Sequence, residues 1–262
     1  PPYQGTVTFY SEEEAKASLP GNYTFLPADQ GSHSWLVSQS TGVIMRTATQ
    51  TGWKIKVTDT VQTSITGEKT GIIVNVGTPA TYEVRVNTTP VITAGEGRSV
   101  YVRVTDSCGN TVKNYDKTVR FEDDDPLTSR GDGLPLDYTF LVSEQGEHTF
   151  AGTSSTDTVR LRTKGTRWAK VYEIETPSRE GYHQNIQVDA GAVTKFKVEM
   201  STLCTAGVAK EITIWAKDQF DNDNNSYNTT LTFECSVAPD WNSPAPASMT
   251  NGYCYKDNYV AI

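Results

Sequence analysis

Polar and apolar residues alternate through residues 3–9. Tyr3, Gly5, Val7 and Phe9 share one face with β-branched threonines between them, the period of a half-buried strand. The stretch recurs as Tyr115 to Phe121 and again as Tyr227 to Phe233, at a spacing of 112 residues each time. A period of that length exceeds any solenoid unit and matches one β-sandwich, so it predicts a string of domains.

Other segments repeat with it. Leu19, Pro20, Tyr23, Phe25, then Asp29, Gln30, Gly31, His33 and Trp35 answer to Leu134, Pro135, Tyr138, Phe140, then Glu144, Gln145, Gly146, His148 and Phe150. Strand patterns at Trp53, Ile55 and Val57 match Trp168, Ala169 and Val171. Val74, Val76, Gly77 and Val188, Ala190, Gly191 close the first two units.

Each closure leads into a new alternating strand, Tyr82, Val84, Val86 or Phe196, Val198. A Thr-Ala-Gly turn comes next, at Thr93 to Gly95 and Thr205 to Gly207, where glycine supplies a positive φ. The strands Val100 to Val104 and Ile212 to Ala216 then run into Asp106 to Asn110 and Asp218 to Asn222. In each, an Asp opens a turn and accepts from backbone N–H groups two residues on. In the third unit, Tyr253, Cys254 and Tyr255 stand 115 residues beyond Tyr138. On that alignment a strand of the Gly-x-His-x-aromatic kind is expected only after Ile262. No sustained 3.6-residue apolar period occurs, so the expectation is all-β, with units at 1–77, 78–191 and 192–262, the first and last partial.

These residues resemble the Ig-like repeats of bacterial and archaeal cell-surface and S-layer proteins. The matching motifs are Ala94-Gly95, Asp106 with Gly109-Asn110, Tyr3 through Phe9, and Leu19-Pro20 through His33. Lys117 and Thr229 depart from the family glycine, Glu144 from its Asp and Asp221 from the turn glycine. The resemblance implies tandem Ig-like β-sandwich domains arranged end to end as a rigid spacer or lattice element, and no catalysis. An adhesin or carbohydrate-binding array with recognition in the loops is the alternative.

Composition narrows the partners. A net charge of −8 with dispersed Lys and Arg leaves no basic face for nucleic acid. No stretch approaches the ~18 consecutive apolar residues of a membrane span, so no insertion is expected. Partners are further copies of the chain or other domains of a parent protein. The four Cys and the sequons at Asn22, Asn87, Asn224 and Asn228 point to an extracellular, glycosylated location.

Candidate chemistry is sparse. His33 and His148 read as strand histidines with local hydrogen bonds, because no nucleophile or base accompanies them. Asp218, Asp221 and Asp223 beside Asn224, and the run Glu122 to Asp125, offer hard oxygen ligands that could take Ca2+, without EF-hand spacing. No other cofactor is expected. Arg130-Gly131-Asp132 spells an integrin-type tripeptide in a turn, a match that arises readily by chance.

The four Cys allow three full pairings. The Ig-type strand order implied by the resemblance brings Cys204 and Cys235 to one end of the third unit, with Cys235–Cys254 as competitor. A Cys204–Cys235 bridge would contribute on the order of 3 kcal/mol.

Overall fold

The computed structural model describes residues 2–11, 15–36, 42–203, 205, 208–232 and 247–260, with residues 209 and 255–260 as backbone only. The described chain is all-β: no α-helix occurs among these residues, and no helix is long and apolar enough to cross a membrane.

Strands β1 (Thr6–Ser11), β2 (Tyr23–Thr24), β3 (Thr49–Asp59) and β4 (Thr66–Val74) make a four-stranded sheet in the order β2-β1-β3-β4. The next elements are β5 (Thr81–Val86), β6 (Ile92–Thr93), β7 (Val100–Thr105), β8 (Thr118–Asp123) and β9 (Ser129–Arg130). They are followed by β10 (Gly133–Leu134), β11 (Tyr138–Thr139), β12 (Glu147–Phe150), β13 (Gly165–Glu173) and β14 (Glu180–Asp189). Their sheets run β11-β8-β13-β14-β6 and β12-β7-β5, with β9 and β10 a short parallel pair. The last strands are β15 (Lys195–Met200), β16 (Ala209–Lys217), β17 (Thr229–Leu231), β18 (Ala247–Met249) and β19 (Tyr253–Val260). They form β15-β16-β19 and β17-β18.

By contact density the chain divides into two compact units. One comprises Pro1–Tyr82, Arg103–Lys117 and Phe140–His148; the other comprises Glu83–Val102, Thr118–Thr139 and Thr149–Ile262. Within the second, Val119, Phe121, Val159, Leu161, Ala169, Val171 and Ile186 are fully buried, each contributing ~1.5–3 kcal/mol if large. Also there, Ile212, Ile214, Ala216, Leu231, Met249 and Cys254 form a cluster, with Val193, Tyr227 and Ala247 against it.

The repeat is visible in register as well as in letters. Val7 faces Tyr23 and Thr6 faces Thr24, with the two threonine hydroxyls 2.7 Å apart. Val119 faces Tyr138 and Thr118 faces Thr139, with hydroxyls 2.8 Å apart. Trp35 meets Phe9 edge-on at 4.8 Å and Tyr23 at 5.4 Å; Phe150 meets Phe121 at 4.8 Å and Tyr138 at 5.0 Å. Such T-shaped contacts satisfy the ring quadrupoles in both copies. Val7, Val119 and Leu231 are all buried.

The third copy corrects the alignment. Leu231 pairs with Ala247 and Thr229 with Met249, so β18 holds the place of β11 and Met249 that of Phe140. The Gly252 carbonyl accepts from Ala216 N–H at 2.8 Å, as the Gly146 carbonyl accepts from Val104 N–H at 2.9 Å. β19 therefore takes the place of β12, the strand expected beyond Ile262. Tyr253 is not the counterpart of Tyr138. The physical reason is a shorter connection. Asn251 (φ 53°) and Gly252 (φ 72°) close a two-residue hairpin turn with Thr250 and Tyr253 bonded across it, which the Asn-Gly dipeptide favours.

Candidate functional site

Two side chains, an Asp and an Asn four residues on, build the most completely bonded polar cluster, and it occurs twice. At the first, β7 runs into the turn Asp106 to Asn110, where Gly109 takes φ 87°. Asp106 Oδ1 accepts from Cys108 N and Asn110 N at 2.9 Å each. Its Oδ2 accepts from Asn110 Nδ2 at 2.9 Å and from Gly77 N at 2.8 Å. Asn110 then reaches the chain before Gly77: Nδ2 donates to the Arg46 carbonyl and Oδ1 accepts from Ala48 N, both at 2.8 Å.

The second cluster repeats the first atom for atom. Asp218 Oδ1 accepts from Phe220 N and Asn222 N at 2.8 and 2.9 Å, and Oδ2 from Asn222 Nδ2 and Gly191 N at 2.8 Å each. Asn222 donates to the Arg162 carbonyl at 2.7 Å and accepts from Lys164 N at 2.8 Å. Asp221 stands where the first turn has glycine, at φ 68°, a conformation Asp tolerates better than most residues.

Both aspartates are buried. Burial works to raise each carboxyl, but the bonds from the Asn side chain and the glycine, Asn and turn N–H groups prevail. Both are held below the ordinary aspartate value. Space is tight at the first cluster, where a Cβ on Gly77 would sit 3.2 Å from Asp106 Oδ2; at the second, a Cβ on Gly191 would come no nearer than 3.4 Å to Asp218, an ordinary contact.

Phe220 adds packing at the second cluster. Its ring lies where a Cβ on Gly95 (φ +83°) would point, and the Arg162 guanidinium stands 5.8 Å from its centre. This explains the glycine of the Thr-Ala-Gly turn. What the whole arrangement does chemically is tie a short linker and a preceding loop to one turn through main-chain groups.

The Asp/Glu-x-Gly-x-His motif is also structural. Asp29 and Glu144 end short 3-10 turns, Pro27–Asp29 and Val142–Glu144, and accept from Leu26 N and Leu141 N at 2.7 Å each. Their second oxygens face His33 Nδ1 at 3.6 Å and His148 Nδ1 in a short contact. Gln30 and Gln145 leave each turn in the left-handed region. The Leu26 N–H, then the Tyr23 hydroxyl, hold the Asp29 carboxyl below its usual value.

The aspartates proposed as calcium ligands are each engaged separately. Asp218 is spent in the cluster, Asp221 Oδ1 is 2.9 Å from Lys195 Nζ, and Asp223 Oδ1 is 2.7 Å from Lys217 Nζ. In the acidic run, Glu122 bonds Lys170 at 2.7 Å, Asp123 accepts from Thr128, Asp124 from Trp168 N, and Asp125 from Thr163. Among the described residues no group of three or more His, Cys, Asp or Glu is placed to hold a metal ion.

Asn22 and Asn87 are exposed. Asn224 is half-buried with its Nδ2 on the Gly191 carbonyl, and Asn228 Nδ2 bonds Ser226 O. In the Arg-Gly-Asp turn, Arg130 faces Asp137 at 3.2 Å and Asp132 is paired with Arg162. Cys204 and Cys235 lie outside the described residues; Cys108 and Cys254 are free thiols. The reach of Asn110 and Asn222 was missed in the sequence. Their identical place after Asp-x-x-x was the available signal.

No protein-family model and no curated protein sequence matches the chain. Among solved structures, a surface layer protein, SbsC domains 4–9, is similar at 14% identity and a TM-score of 0.27. The match covers 97% of this chain, which spans 39% of that one.

Proposed function

We propose that the chain is a structural segment of an extracellular protein, with Ig-like β-sandwich repeats over 1–77, 78–191 and 192–262 joined end to end in a surface layer, appendage or filament. The observation that carries this reading is the doubled Asp–Asn clasp, which ties Gly77 and Gly191, the residues linking successive repeats, to the following turn. A linker held by a buried carboxylate resists bending more than interdomain contacts of modest area usually do. On this reading the chain is no enzyme, its partners are further repeats, and Asn22 and Asn87 are the sequons best placed to carry glycans.

Backbone 15N relaxation tests the stiffness. Gly77 and Gly191 should be as ordered as strand residues, with order parameters of roughly 0.85, and should loosen in Asn110→Ala and Asn222→Ala. Wild-type glycines with values below about 0.6 would remove the support for this reading. Antibody labelling of intact cells that make the protein tests the location; labelling seen only after permeabilisation would reject it.

A further inference from the structure

The strand β14 carries a bulge in the middle copy. Arg167 of β13 faces Ile186 and Ala169 faces His183, so two steps on β13 span three on β14. Asn185, within the extra step, takes φ 59°. A bulge re-aims side chains that strict alternation would send to opposite faces. Here His183, Asn185 and Gln187, with Thr88 and Val91 from the connection between β5 and β6, line one hollow of about 210 Å3. That is below the ~300–1,000 Å3 of pockets for drug-sized ligands and suits a single small ring.

The first copy has the same bulge without the same chemistry. Ile55 faces Lys69, Trp53 faces Ile72, and Gly71 takes φ 68°. Lys69, Gly71 and Ile73 thus hold the places of His183, Asn185 and Gln187. Glycine adopts that backbone freely and Asn less so, so the bulge itself does not call for the amide.

The polar groups around the hollow are mostly unspent. Val86 N donates to His183 Nδ1 at 2.8 Å, and burial holds the ring below the usual histidine value, so at neutral pH the imidazole is uncharged with its proton on Nε2. Gln187 Nε2 donates to Thr166 Oγ1 at 2.7 Å, which leaves Oε1 as an acceptor. Among the described residues neither the Asn185 amide nor the Thr88 hydroxyl has a hydrogen-bond partner. No charged side chain lines the hollow, and Val91, half exposed, supplies an apolar wall.

We propose that this hollow is a subsite for one neutral sugar ring. The imidazole N–H and the amide N–H groups donate, the amide carbonyls accept, and the threonine does both, which matches a set of hydroxyls. The C–H face of the ring lies against Val91. An ionised ligand would find no counter-charge there. Two sources offer such a ring: a glycan on Asn87, the neighbour of Thr88, or a polysaccharide around the protein. The inference rests on the hollow and not on linker stiffness, so the relaxation experiment can fail while this one succeeds.

The probes are glucose, galactose, mannose and N-acetylglucosamine, titrated singly into the full chain made without glycans and followed by 15N NMR. At least one should give saturable shifts centred on residues 88–91 and 183–187, and glucuronate should not saturate them. Asn185→Gly, which installs the residue of the first copy and keeps the backbone, should weaken binding about tenfold, as should Thr88→Val. Gln184→Ala, at an exposed position outside the hollow, should leave it unchanged. No saturable shift with any of the four sugars, saturation by glucuronate, or indifference to both Asn185→Gly and Thr88→Val would overturn the proposal. Wild type and Asn87→Gln, both made in a glycosylating host, separate the sources. Exclusion of added sugar from the wild type alone assigns the subsite to the chain's own glycan, and equal binding assigns it to an external polysaccharide; both uphold the site.

Discussion

Replacing Asp218 by Asn keeps the shape of the side chain and removes one acceptor oxygen. Four donors converge on the native carboxylate: Phe220 N, Asn222 N, Gly191 N and Asn222 Nδ2. Whichever way the new amide turns, its NH2 faces two of them. Hydrogen bonds to charged groups contribute about 1.5–3 kcal/mol each, so the loss of two predicts a destabilisation of about 3–6 kcal/mol. Asp221→Asn is the control: its partner Lys195 is exposed, Asn accepts the same left-handed backbone, and the change should stay within ~0.5 kcal/mol.

Urea unfolding followed by circular dichroism measures the difference, with amide exchange of Ile212–Ala216 reporting on the third repeat. The pH dependence has a definite sign. Asp218 is depressed in the fold, so its contribution is complete above the ordinary value of 3.8 and is lost as pH falls through the lower folded value. Asp218→Asn should therefore flatten the acid limb of the stability curve. A variant as stable as the wild type, with an unchanged acid limb, would refute the assignment of the turn as a charged clasp.

Burial raises Asp123 to about 6, with Thr128 acting against it, so the folded state gains stability as pH falls from 6 towards 3.8; Asp123→Asn should stabilise at pH 7 and lose that gain near pH 4, read by urea titrations at both. Gly31, Gly146 and Gly252 all have positive φ, but a Cβ meets nothing at Gly31 and overlaps the Val112 and Asn224 carbonyls at the other two. Gly31→Ala should cost about 1–2 kcal/mol and the other two clearly more, measured by thermal unfolding. Alkylation followed by peptide mapping should label half-exposed Cys108 in the native protein, and buried Cys254 only after unfolding.

The strands carrying Val7, Val119 and Leu231 were legible because period-two alternation and the 112-residue spacing report burial directly. The Asp turns were legible as turns, since Asx chemistry is local. Their grip on Arg46, Ala48, Arg162 and Lys164 was not, because those partners are main-chain groups and leave no letter in the sequence. The third copy misled for a different reason. Its aromatic residues at 253 and 255 imitate β11, while the structure fills the place of Phe140 with Met249 and shortens the following turn to Asn251-Gly252. An apolar side chain of similar volume serves the core equally well, so residue identity was a poor guide to register there.

Every group that Asn110 and Asn222 grasp in the preceding loop belongs to the peptide backbone, which all residues but proline offer alike. On the tandem-repeat reading proposed above, a coupling that asks nothing of its neighbour's side chains is interchangeable. Unequal recombination could add or delete whole units from such a gene without a fresh interface having to evolve, leaving chain length free to drift while the fittings stay the same.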